Sequence, residues 1–150
     1  MPNRENINSG LQQLRILVAP LDWGLGHATR CIPLIRLLRN KGVEVIVAGE
    51  GPSLKILVEA FPGIASIPLS GYRIQYNNRR SGFVWKMASQ VPHILQVILK
   101  EERWLAKTLP KHKIDAVISD NRYGLHHPSV PCVFITHQLQ VMGGNQLMDK

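Results

Sequence analysis

Along this chain, short runs of consecutive apolar residues alternate with stretches whose apolar positions recur every three or four residues. Residues 14–20 (LRILVAP), 43–48, 64–69, 114–119 and 130–136 are of the first kind. Each suits a short strand buried on both faces. Between them, Ile32, Leu34, Ile35, Leu37 and Leu38 mark a helix over 27–41, with Arg39 and Lys41 in its last turn and Gly42 as its stop. Leu54, Leu57, Val58 and Phe61 form one face of a second helix that opens at Gly51-Pro52-Ser53 and ends at Pro62-Gly63. From 83 to 109 the helical pattern returns in Val84, Met87, Val91, Ile94, Leu95, Ile98, Leu99, Leu105 and Leu109. Pro92 lacks an N–H and crowds the preceding turn, so this segment is expected to kink or to divide into two helices. Residues 1–13 are polar and read as a loose leader, and the polar stretch 70–82 reads as an exposed loop.

Strands alternating with helices predict an α/β domain over 14–150: a Rossmann-like parallel sheet flanked by helices. Ligands of such sheets bind beyond the carboxyl ends of the strands. Residues 22–27, 49–53, 120–127 and 136–137 are therefore expected to share one rim.

Composition narrows the class. In 150 residues, 45% are hydrophobic and 19% charged, the balance of a globular domain. No apolar run is long enough for a transmembrane helix or a signal-peptide core. Two cysteines make no disulfide framework, and Cys31 and Cys132 read as small buried apolar residues. A cytoplasmic location is the expectation. Eighteen Lys and Arg against ten Asp and Glu give a net charge of +8, which favours an anionic partner. Nine of the basic residues fall in 73–113 (Arg73, Arg79, Arg80, Lys86, Lys100, Arg103, Lys107, Lys111, Lys113), against Glu101 and Glu102.

The chemistry gathers at the expected rim. Gly24-Leu25-Gly26-His27 lies at a strand-to-helix turn, where glycines admit a ligand close to the backbone and free N–H groups favour a phosphate. The dinucleotide pattern G-x-G-x-x-G would need glycine at Thr29; two glycines plus Glu50 at the end of the second strand are a weak signal for nicotinamide or flavin. His27 opens a helix over the crevice, and a neutral imidazole there can take a proton from a hydroxyl or a water. A carboxylate that fixes its tautomer improves such a base, and Asp120 ends a strand on the same rim. The plainer alternative has His27 and Asp120 as turn and helix caps.

Gly24-Leu25-Gly26-His27-Ala28-Thr29-Arg30, directly after the first strand, resembles the N-terminal glycine–histidine loop of GT-B glycosyltransferases, most closely the MurG-type N-acetylglucosaminyltransferases of glycosyltransferase family 28. The element order and the strand end Ile118-Ser119-Asp120 are similar too. The resemblance implies one half of a GT-B fold, the acceptor-side N-terminal domain, incomplete without a C-terminal donor domain and inactive alone. It implies His27 as base with Asp120 as its partner, and Gly24 and Gly26 beside the donor diphosphate. The donor would be a UDP-sugar, with no separate cofactor, and the acceptor an envelope lipid or saccharide at the inner membrane face. Gly26-His27 followed by Arg30-Cys31 also resembles nucleotide-sugar hydrolases of the same fold, in which water would be the acceptor. A non-catalytic binding domain is the reading from another class.

Other residues carry weaker signals. Arg30, Arg122 and His137 are expected to contact phosphate or substrate, and Tyr123 to contact a sugar or phosphate. Phe83, Trp85, Lys86 and Met87, beside the basic segment, would suit peripheral membrane contact; an ordinary solvated helix face explains them as well. The few aromatics are scattered, without the stacking platform that nucleic-acid binding requires. His126, His127, Cys132 and His137 lack metal-ligand spacing, so no metal is expected.

Overall fold

The computed structural model describes residues 14–72 and 83–136, except for the side chains of 83–91. The leader 1–13, the loop arginines Arg73, Arg79 and Arg80, the side chains of Phe83, Trp85, Lys86 and Met87, and His137 lie outside the described residues.

Among the described residues five strands and three helices follow in the order β1 (Arg15–Pro20), α1 (Leu25–Asn40), β2 (Glu44–Gly49), α2 (Gly51–Ala60), β3 (Ala65–Pro68), α3 (Phe83–His112), β4 (Ala116–Asp120) and β5 (Cys132–Ile135). The strands form one sheet in the order β3-β2-β1-β4-β5, and every neighbouring pair is parallel. This is the Rossmann-like α/β sheet that the periodicity predicts.

Strand alternation divides the core between the two faces. Leu17 and Ala19 of β1 join Ile46, Ala48, Val117, Leu105 and Leu109 under α3. Val18, between them, joins Val45, Val47, Ala28, Cys31, Ile35 and Leu57 under α1 and α2. The buried positions of α1 are His27, Ala28, Cys31 and Ile35, a single stripe turned toward the sheet. Gly42, at φ 79°, ends α1 in the left-handed conformation and donates its N–H to the Arg39 carbonyl. Pro20, on the central strand, stands at its last residue, where a missing donor does least harm.

Some expectations of burial are corrected. Leu37, Leu95 and Leu99 are 54%, 55% and 47% exposed, because α1 and α3 each cover the sheet with a narrower stripe than their apolar content allows. Val133 and Phe134 of β5 are 54% and 44% exposed: among the described residues β5 is an edge strand paired only with β4, and it lacks the cover of a central one. Pro92 and Pro110 both lie within a single α3, so the segment does not divide into two helices.

Candidate functional site

The chain runs outward from β1 through β2 to β3, then crosses back to place β4 and β5 on the other side of β1. The order reverses between β1 and β4, which in open α/β sheets opens a crevice at the carboxyl ends of those strands. Pro20 and Asp120 are paired in register at that end, and the Leu21 N–H donates to the Asp120 carbonyl at 2.9 Å.

His27 enters the crevice from the first turn of α1, and the Asp120 carboxylate from the end of β4. His27 Nδ1 lies 3.1 Å from Asp120 Oδ1, and the Asp120 side chain is only 1% exposed. The structure thus brings together the histidine and carboxylate that the sequence sets on one rim. Arg30 joins them. Three residues after His27, it shares the same side of the helix. Its Nε and Nη2 both donate to Asp120 Oδ2, at 3.1 and 2.9 Å, and Nη2 stands 2.8 Å from Oδ1 and 2.9 Å from His27 Nδ1. Arg30, expected to contact phosphate or substrate, bonds the buried Asp120 carboxylate here, and that contact offsets a charge that burial alone would make costly.

The glycine loop lies at the rim. Gly24 caps α1 at φ 73° and ψ 173°, a conformation essentially limited to glycine. Ser53 Oγ, from the start of α2, donates to its carbonyl at 3.3 Å. A Cβ added at Gly24 or Gly26 would meet no atom within 4 Å, so the backbone there faces open space. Trp23 and Leu25 beside it are 38% and 49% exposed. Glu50, just past β2, accepts the Gly71 N–H at Oε1, at 2.9 Å, while Asp22 Oδ1 accepts the Tyr72 N–H at 3.2 Å.

Cys31 lies one turn after His27 on the same stripe, and burial first, then the Asp120 charge, pushes its thiol up to about 12.

Arg122, expected to contact phosphate or substrate, is fully buried, and its Nε donates to Glu101 Oε1 of α3 at 2.8 Å. The same guanidinium donates to the Pro20 and Ser70 carbonyls. Glu101 Oε2 accepts from the Tyr72 hydroxyl at 2.8 Å and from the Gly124 N–H at 3.0 Å. Burial, reinforced by the Glu101 charge, holds the Tyr72 phenol above its ordinary range. This network pins the ends of β1, β3 and β4 to α3 beneath the crevice. Sequence reasoning missed it, although Glu101 falls in phase with Ile94, Ile98 and Leu105 on the inward stripe of α3.

Tyr123, by contrast, is 54% exposed. Its ring lies 5.1 Å from that of Phe134, and both line a cavity of about 200 Å³ beside β5. His126 and His127 turn to different partners: His126 Nε2 lies 3.8 Å from Glu102, and His127 Nδ1 lies 2.7 Å from Ser129 Oγ. Among the described residues no helix is long and apolar enough to cross a membrane.

No family model matches the sequence, and neither does any curated protein. Solved structures do resemble it. The glycosyltransferase SsfS6 of Streptomyces sp. SF2575 aligns over 83% of this chain at 19% identity with a TM-score of 0.56. The glycosyltransferase SnogD of Streptomyces nogalater aligns over 82% at 20% identity with a TM-score of 0.50. The aligned region is 39% of the first protein and 36% of the second, so this chain spans less than two-fifths of either. What the chain shares with these two glycosyltransferases is the Rossmann-like fold of one part of each.

Proposed function

We propose that this chain is the acceptor-side domain of a GT-B-type glycosyltransferase of MurG-like character, with His27 as its general base. The observation that carries the reading is the 3.1 Å contact of His27 Nδ1 with the buried Asp120 carboxylate at the crevice where the strand order reverses. With Nδ1–H donated to Asp120, the other ring nitrogen, Nε2, holds a lone pair for the acceptor hydroxyl. The acceptor oxygen attacks the anomeric carbon of a UDP-sugar, its proton passes to Nε2, and the sugar–phosphate C–O bond breaks. The electron pair of that bond leaves with the nucleoside diphosphate. The bare backbone at Gly24 and Gly26 and the N-terminal end of α1 suit the charge that develops on the diphosphate. The exposed Tyr123 and Phe134 rings offer an apolar face for an acceptor lipid or sugar ring. No separate cofactor enters the scheme. An envelope acceptor and a peripheral position at the inner membrane face complete the reading.

The test is His27→Ala in the full-length enzyme, assayed with a panel of UDP-sugars and envelope acceptors. General-base loss lowers kcat by about 10²- to 10⁴-fold in a protein that still unfolds cooperatively in urea. Unaltered turnover would remove His27 from the chemistry, and sugar released into water without an acceptor would assign the hydrolase reaction instead.

A further inference from the structure

We propose that Arg30 sets the tautomer of His27, and that an anionic ligand which draws Arg30 away switches His27 on as a base. The inference deepens the transferase reading and rests on it for the identity of the anion, a diphosphate. Three heavy atoms form a closed triangle: Arg30 Nη2 to Asp120 Oδ1 at 2.8 Å, Arg30 Nη2 to His27 Nδ1 at 2.9 Å, and His27 Nδ1 to Asp120 Oδ1 at 3.1 Å. A guanidinium only donates and a carboxylate only accepts, whereas Nδ1 of a neutral ring does one or the other. Two arrangements of protons therefore exclude each other. If Nδ1 carries the proton, it donates to Asp120, and Nε2 carries the lone pair that a base needs. If Nη2 donates to Nδ1, the ring proton sits on Nε2, which then has no lone pair for an acceptor.

Nη2 has two hydrogens for three acceptors: one is shared between Asp120 Oδ1 and Oδ2, at 2.8 and 2.9 Å, and the other meets Nδ1 at 2.9 Å, closer than the 3.1 Å from Nδ1 to Oδ1, which favours the second arrangement. The resting site thus holds its histidine in the unproductive form. The Arg30 side chain is 39% exposed, so an anion arriving from solvent can reach it, whereas that of Asp120 is 1% exposed. An anion at the start of α1 attracts the guanidinium, and the proton on the ring then redistributes to Nδ1, where Asp120 accepts it. Arg30 is on this account a positioning residue that links diphosphate binding to base strength, so the base is unmasked only when donor is present.

The experiment is long-range ¹H–¹⁵N NMR of the full-length protein labelled in its histidine rings, at pH 8, with the His27 signals assigned by their loss in His27→Gln. Wild-type protein should show His27 with the proton on Nε2. Arg30→Met should exchange the protonated and unprotonated nitrogens, giving the Nδ1–H pattern. Inorganic pyrophosphate titrated into wild type should produce the same exchange, and this arm does not depend on how Arg30→Met folds. A wild-type ring protonated on Nδ1 or on both nitrogens, or an Nε2–H ring that neither Arg30→Met nor pyrophosphate moves, overturns the proposal. The readout is independent of turnover. A tautomer exchange in a protein that transfers no sugar defeats the transferase reading alone, and turnover with a fixed tautomer defeats this one alone.

Discussion

Glu101 and Arg122 are ionised groups at 2% and 0% exposure, a placement tolerated only because each side chain finds several partners. Glu101→Gln keeps the shape and removes the charge, leaving Arg122 buried without its counter-ion. We expect a loss of about 3–5 kcal/mol in unfolding free energy by urea titration, the scale for breaking a buried pair. A loss below about 1 kcal/mol would mean that the pair does not hold the β1, β3 and β4 ends to α3. Cys31 is governed by the same desolvation. Its thiol is raised from 9.0 to about 12, so near neutral pH its thiolate fraction falls about a thousandfold relative to an unfolded chain. Iodoacetamide at pH 8 should therefore leave Cys31 unmodified in the folded protein and label it in urea, as read by peptide mass spectrometry. Rapid labelling of folded protein would contradict the burial.

The turn between β1 and α1 separates what the fold requires from what a ligand requires. Gly24 has φ 73° and ψ 173°, so Gly24→Ala should cost about 1–3 kcal/mol of stability. Gly26 lies inside the helix with open space around its missing Cβ, so Gly26→Ala should leave stability unchanged or raise it by up to about 1 kcal/mol. If a diphosphate rests on that backbone, the same Gly26→Ala should weaken UDP-sugar binding, measured by calorimetry. Unimpaired binding would place the diphosphate elsewhere. At this scale much was legible in the sequence. The strands and the helical segments stood out because short apolar runs and a three-to-four residue period have few other physical readings. His27 and Asp120 could be placed together because loops that leave parallel strands at the same end share a rim. The partners of Arg30 and Arg122 were not legible: a long side chain reaches whatever charge the tertiary fold sets within a few ångströms. For Arg122 that charge comes from α3, and for Arg30 from β4. The exposure of Val133 and Phe134 escaped notice for a related reason, since an apolar run does not reveal whether its strand is central or at the edge.

Over the whole molecule, two raised acids tie stability to pH from both faces of the sheet. Cys31 packs with Val18, Ala28 and Ile35 under α1 and α2, and Tyr72 packs with Leu21 and Val97 against α3. In the unfolded chain the thiol ionises near 9.0 and the phenol near 10.0, whereas the fold holds the thiol protonated up to about 12 and raises the phenol well above its ordinary range. Across that interval the unfolded state has released protons that the native state retains, so stability must fall as pH rises. The contribution of each group is complete below its unfolded pKa and is lost as pH climbs toward the folded value. The slope is about 1.4 kcal/mol per pH unit for each group once its unfolded form has ionised. The two groups share no partner and lie on opposite faces, so their effects should add. Urea unfolding at pH 8 and at pH 10.5 should show a marked loss of stability in wild type. Cys31→Ala and Tyr72→Phe should each start from lower stability at pH 8, through a lost packing contact and a lost hydrogen bond respectively, yet lose less on going to pH 10.5. A wild-type curve that stays flat across this interval would mean that neither group is shielded from water, and so that neither α1 nor α3 seals its face of the sheet as the packing indicates.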